Sequence, residues 1–94
     1  MKLRGEDIII TYHGNDIARL TRNNELSLTL SGWGTPTTRN RLNKILVAFN
    51  YSGYIFTQKD HAQYLINPYG QLAKIDVNDI VIFSRGALET IEHR

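Results

Sequence analysis

The sequence predicts an α+β fold: an antiparallel sheet of about six to seven short strands packed on one amphipathic helix, in the order βββ-α-ββββ. Three observations carry this prediction. Short β-rich runs alternate with Gly, Asn, Asp and Pro turn signals along most of the chain. A single segment carries the 3.6-residue apolar period of a helix. Sheet and helix each present one apolar face and bury it against the other.

Residues 8–12 and 17–21 form a hairpin pattern around His13-Gly14-Asn15-Asp16, where Gly14-Asn15 supplies residues that tolerate positive φ. Arg22-Asn23-Asn24-Glu25 is a second turn signal. Leu26, Leu28 and Leu30 then alternate with Ser27, Thr29 and Ser31, the period of two that marks a half-buried strand. Gly32-Trp33-Gly34 breaks this strand. Thr35 suits a helix N-cap and Pro36 the first helical position, where the missing N–H costs nothing. The helix buries Leu42, Ile45, Leu46 and Phe49 and ends near Asn50, before Ser52-Gly53. Residues 54–58 and 62–66 alternate around Lys59-Asp60, and Asn67-Pro68-Tyr69-Gly70 reads as a type I turn. Residues 72–75 and 80–83 give two further short strands, separated by Asp76-Val77-Asn78-Asp79. The segment 84–94 is expected to fray or to add a short helical turn.

A chain of 94 residues makes one small domain, residues 1–94. Its short length leaves homodimerisation open as a supplement to a modest core. With no cysteine, disulfides, thiolate metal sites and cysteine nucleophiles are excluded. The stretch from Met1 to Asp7 lacks the apolar centre of a signal peptide, and no apolar run approaches the length needed to cross a bilayer. The expected location is therefore the cytoplasm, without membrane contact. A net charge of +2 and a pI near 9.1 favour an anionic partner only mildly.

The most informative segment runs from Ser31 to Asn43, where a glycine-flanked loop delivers the chain into a helix opening with hydroxyls and guanidiniums. Free N–H groups and the positive end of the helix dipole make such a start receptive to an anion. Trp33, Thr37, Thr38, Arg39, Arg41 and Lys44 are the candidate binding residues, for nucleic acid or nucleotide phosphate. The competing reading is structural: Thr35 caps, Trp33 plugs the edge of the core, and the arginines form a solvated face. Pro36 also removes one N–H from any phosphate cradle.

This string, Gly32-Trp33-Gly34-Thr35-Pro36-Thr37-Thr38-Arg39-Asn40-Arg41-Leu42-Asn43, resembles a family of small phage-encoded proteins of unknown function. The family's signature has the form Gly-Trp-x-Thr-x-Thr-Thr-basic-x-Arg-aliphatic-Asn after a Thr-Leu strand. Here Ser31-Gly32 stands where a Gly-Gly pair is more usual, and Arg39 where lysine is more usual. The resemblance implies a viral accessory origin, with host-directed or genome-handling roles. It supplies no catalytic residues.

Trp33, Tyr51, Tyr54, Phe56, Tyr64 and Tyr69 surround Arg39, Arg41, Lys44 and Lys59, a mixture suited to single-stranded nucleic acid, although cross-strand packing accounts for part of it. His13, His61 and His93 lack the spacing of metal ligands and read as turn and tail residues. Asp76, Asn78 and Asp79 are too few for a calcium loop and shape a turn. No nucleophile elbow or lysine-bearing phosphate loop is present, and Glu6-Asp7 has no acid or base partner in the sequence. The expectation is a non-catalytic protein without cofactor or metal. It binds nucleic acid or nucleotide through the helix start, or else binds and redirects a host protein through a strand edge or a patch at Trp33 and Val47. A sponge for signalling nucleotides is a third option.

Overall fold

The computed structural model describes residues 2–4, as backbone, and 7–94. Met1, Gly5 and Glu6 lie outside the described residues, so the readings made on the N-terminal stretch and on Glu6 are only partly covered. The order of elements is β1 (Lys2–Arg4), β2 (Asp7–Tyr12), β3 (Asn15–Leu20), β4 (Leu26–Leu28), α1 (Pro36–Ala48), β5 (Ile55–Lys59), β6 (Ala62–Ile66), β7 (Leu72–Ile75), β8 (Ile80–Ser84) and β9 (Ala87–Glu92). The α+β class and antiparallel pairing are as predicted.

The expected single sheet is two. Strands β1-β2-β3-β4-β8-β9 form one antiparallel sheet, and β5-β6-β7 form a second, three-stranded one. Alternation in a strand reveals which side chains share a face, but not which strand lies alongside. Here β4 pairs with β8, Leu26 opposite Phe83 and Leu28 opposite Val81, across the whole helix and small sheet. Both sheets and the helix supply one core: Leu26, Leu28, Leu30, Val81 and Phe83, then Leu42, Ile45 and Leu46, then Phe56, Leu65 and Ile75. Each fully buried aliphatic side chain contributes about 1.5–3 kcal/mol.

The tail is also a strand rather than a frayed end. Ser84 pairs with Ala87 around Arg85 and Gly86, whose φ values of 54° and 83° are the type I′ signature of a two-residue hairpin. The same device closes β2–β3 at His13-Gly14 (52°, 79°), one residue before the predicted Gly14-Asn15. It closes β5–β6 at Asp60-His61 (51°, 66°), again one residue from expectation. Two of these loops place a histidine and a third an arginine at positive φ, which is why residue type alone misplaced them.

The strand end is fixed by the buried carboxylate of Asp79. It accepts hydrogen bonds from the N–H groups of Asp76 (2.9 Å) and Arg94 (3.1 Å) and pairs with His93 Nδ1 at 2.7 Å. Burial alone would raise the Asp79 pKa, but those N–H donors and His93 outweigh it and hold the carboxyl below its ordinary value.

Candidate functional site

Why α1 starts where it does follows from five residues. Ser31 and Gly32 both have positive φ (51° and 83°), and Trp33 N–H closes the turn on Leu30 O at 2.9 Å. Ser31 occupies the place where the resembled family favours glycine, and its hydroxyl donates to Asp16 O at 2.6 Å. Thr35, extended at φ −97° and ψ 154°, caps the helix, its Oγ1 accepting from Thr38 N–H at 3.3 Å. Pro36 follows as the first helical residue.

These bonds decide how much of the helix start remains for a ligand. Pro36 has no N–H, Thr38 N–H goes to the cap, and Arg39 N–H goes to Thr35 O at 3.1 Å. The Thr38 hydroxyl pairs with that of Thr35 at 2.9 Å, and Thr38 is only 3% exposed. The Thr37 N–H is the remaining donor of the first turn, and Thr37 is exposed. The first turn holds no acidic residue, and among the described residues no carboxylate pairs with Arg39 or Arg41. No ion pair among the described residues thus offsets the positive end of the helix at these two arginines.

The six candidate residues separate into two groups. Arg39 faces the small sheet, where its Nη1 donates to Gly34 O (3.0 Å), Gln58 Oε1 (2.9 Å) and Gln63 Oε1 (3.1 Å). One turn on, Asn43 repeats the contact. Its Nδ2 donates to Phe56 O (3.1 Å) and its Oδ1 accepts from Phe56 N–H (2.7 Å), pairing the outer edge of β5 as a neighbouring strand would. Helix positions i and i+4 share a face, so Arg39 and Asn43 together clamp α1 to β5–β6. Gly34 stands close in: a Cβ there would lie 3.0 Å from Gln63 Nε2 and 3.2 Å from Val77 Cγ1.

Trp33, Thr37 and Thr38 lie on the other side, lining a cleft of about 210 Å³ with Tyr12, His13, Ile17 and Thr35. Trp33 is 54% exposed, so it walls the cleft rather than plugging the core. The Tyr12 and His13 rings meet at 4.1 Å, and the Arg41 guanidinium carbon sits 5.0 Å above the Tyr12 ring, a cation–π contact. Thr37, Arg41 and Lys44, spaced i, i+4, i+7, run up one exposed row of the helix from the cleft. Tyr12 and His13 were not among the predicted site residues. They come from the first hairpin, and only its fold, with no local sequence signal, brings them against the helix start.

The predicted aromatic cluster disperses. Tyr51, Tyr54 and Phe56 belong to the core or its margin; both tyrosine rings lie 4.9 Å from Phe83, and their hydroxyls accept from Gly86 and Leu88 N–H. Tyr64 and Tyr69 remain at the surface of the small sheet. Among the described residues, no helix is long and apolar enough to cross a membrane.

No curated protein and no solved structure matches this chain. One family model does, over residues 2–87, under the description Kyanoviridae Gp96 protein. With that much of its length matched, the chain belongs to the Kyanoviridae Gp96 family of phage proteins.

Proposed function

We propose that this phage protein is a non-catalytic accessory binding protein that takes a nucleotide unit, free or within a nucleic acid, at the start of α1. The base enters the cleft between Trp33 and the Tyr12–His13 pair, and the phosphate meets Thr37 N–H, Arg41 and Lys44. One observation carries this reading. Within the segment from Ser31 to Asn43, Thr35 and Thr38 form the cap, Arg39 and Asn43 the clamp, and Leu42 the core. Trp33, Thr37 and Arg41 are left facing solvent around an aromatic-walled cleft. Stacking on an aromatic wall beside cations is how nucleotides are held without a phosphate loop.

The host-protein reading has less support. Val47 lies about 16 Å along the axis from Pro36, the first residue of α1, and Trp33 precedes Pro36 in the chain, so the two stand at opposite ends of the helix.

The test is calorimetric titration with a nucleoside monophosphate, repeated at raised salt. Binding that weakens with salt and is lost in an Arg41→Ala, Lys44→Ala double variant, but kept in Arg39→Ala, supports the proposal. Binding that ignores the first pair and vanishes with Arg39 would refute it.

A further inference from the structure

The outer face of the three-stranded sheet is a second surface, and among the described residues no element packs over it. Its register aligns three rows of side chains. Ile55, Ile66 and Leu72 lie opposite one another, then Thr57, Tyr64 and Lys74, then Lys59 and Ala62. The alternate residues Phe56, Gln63, Leu65 and Ile75 point inward and are buried, so these rows face out. Ile55 and Leu72 are 44% and 49% exposed, and Tyr69, in the turn beyond the first row, is 89% exposed.

Charge decides among the occupants of this face. Its paired rows carry Lys59 and Lys74, with the carboxylates of Asp60 and Asp76 only at the adjoining turns, and among the described residues neither lysine is held in an ion pair. Tyr64 sits directly opposite Lys74 and diagonal to Lys59, and its ring contacts no other aromatic. A flat ring between two cations, bordered by a flat aliphatic row, matches a strand whose bases stack while its phosphates reach outward to the lysines. A second copy of the chain fits less well, since it would bring lysine-bearing faces together. The area is also small: three strands about 4.8 Å apart and four to five residues long fall well short of the ~800 Å² per partner that a stable dimer needs.

We propose that the outer face of β5–β7 binds single-stranded nucleic acid, with Tyr64 as the stacking platform and Lys59 and Lys74 as the phosphate contacts. This goes beyond the reading above: it concerns a second surface, stands on different residues and can survive the failure of the cleft.

The experiment is fluorescence anisotropy of a labelled oligothymidylate of about ten nucleotides. The variants are Tyr64→Ala, Tyr64→Phe and the pair Lys59→Glu, Lys74→Glu, with circular dichroism to confirm folding. Tyr64→Ala should weaken binding by roughly tenfold, and Tyr64→Phe, which keeps the ring, should leave it within about twofold. The lysine pair should flatten the slope of log K against log salt by about 1.4, two phosphates at ~0.7 each. If Tyr64→Ala unfolds the protein, the lysine pair carries the test alone.

Oligonucleotide binding that ignores all these variants but falls with Arg41→Ala and Lys44→Ala overturns this inference and leaves the cleft reading standing. The reverse pattern supports the inference and leaves the cleft no part in polymer binding. Failure of the wild-type protein to bind the oligonucleotide at low salt overturns the inference, as does a concentration-dependent dimer that Leu72→Glu dissolves. Nuclease-resistant association with an acidic protein, abolished by Lys59→Glu and Lys74→Glu while oligonucleotide binding is absent, overturns it as well.

Discussion

Replacing Arg39 and Arg41 separately by alanine should give opposite phenotypes, although the two are near neighbours on one helix. Arg39 donates to three acceptors, two of them side-chain oxygens of Gln58 and Gln63, and Gln63 is itself buried. A hydrogen bond to a charged donor contributes about 1.5–3 kcal/mol, and a buried acceptor left unpaired costs about as much. The three bonds share one nitrogen and do not add, so a loss of about 2–3 kcal/mol is expected for Arg39→Ala. For a domain of this size that lowers Tm by roughly 8–24 °C. Among the described residues Arg41 makes only the contact with the Tyr12 ring, about 0.5–1 kcal/mol at an exposed site, so Arg41→Ala should melt within a few degrees of the parent. Thermal and urea denaturation followed by circular dichroism measure both. A Tm for Arg39→Ala within about 3 °C of the parent, or a larger loss for Arg41→Ala, would refute the division of the segment into clamp and ligand-facing residues.

Other perturbations test the frame that holds the site. Asn43→Ala removes both bonds to Phe56 and should cost about 2 kcal/mol, with faster hydrogen exchange at the Phe56 amide; unchanged exchange there would contradict the edge-pairing role. Asn50, at φ 67° just past the helix, occupies the left-handed position of a Schellman motif in which Tyr51 N–H reaches Leu46 O at 2.7 Å. Asn50→Gly should therefore stabilise by a few tenths of a kcal/mol, read as a higher urea midpoint, and a lower midpoint would count against that geometry. Asp79 sets the acid limb: its folded pKa lies below the unfolded 3.8, so its contribution is fully present above that value and is lost as pH falls through the lowered one. Asp79→Asn should flatten the drop in Tm below about pH 4 and loosen the C-terminal strand; an unaltered acid limb would show that another carboxylate dominates.

Much of the fold was legible because it rests on local rules. Thr35-Pro36 starts the helix as cap chemistry requires, Leu42, Ile45 and Leu46 bury as their spacing demands, and Leu26, Leu28 and Leu30 all turn inward. What escaped was non-local or carried by atypical turn residues. Arg85-Gly86 hides a hairpin because arginine is a rare occupant of positive φ, so β9 reads as a tail. The division into two sheets depends on β4 meeting β8 across a long insertion, which alternation cannot encode.

The candidate site was half legible for the same reason. Its basic and hydroxyl residues are contiguous in sequence and stood out together. Helix spacing already sets Thr37, Arg41 and Lys44 on one side and Arg39 at the margin of the buried stripe; what the two arginines meet there was not legible. Arg39 enters the clamp, and Arg41 rests on a tyrosine from the first hairpin. The aromatic cluster looked uniform only in composition. Tyr51 and Tyr54 spend their hydroxyls on the β8–β9 hairpin, whereas Tyr64 faces out from the middle strand of the small sheet.

Trp33 is the single tryptophan of the chain and forms a wall of the cleft, so its emission reports directly on that site. Titration with a nucleoside monophosphate at low salt should shift or quench it saturably, with the response abolished in the Arg41→Ala, Lys44→Ala double variant. Emission that stays constant through the titration, while the protein remains folded, would contradict the account.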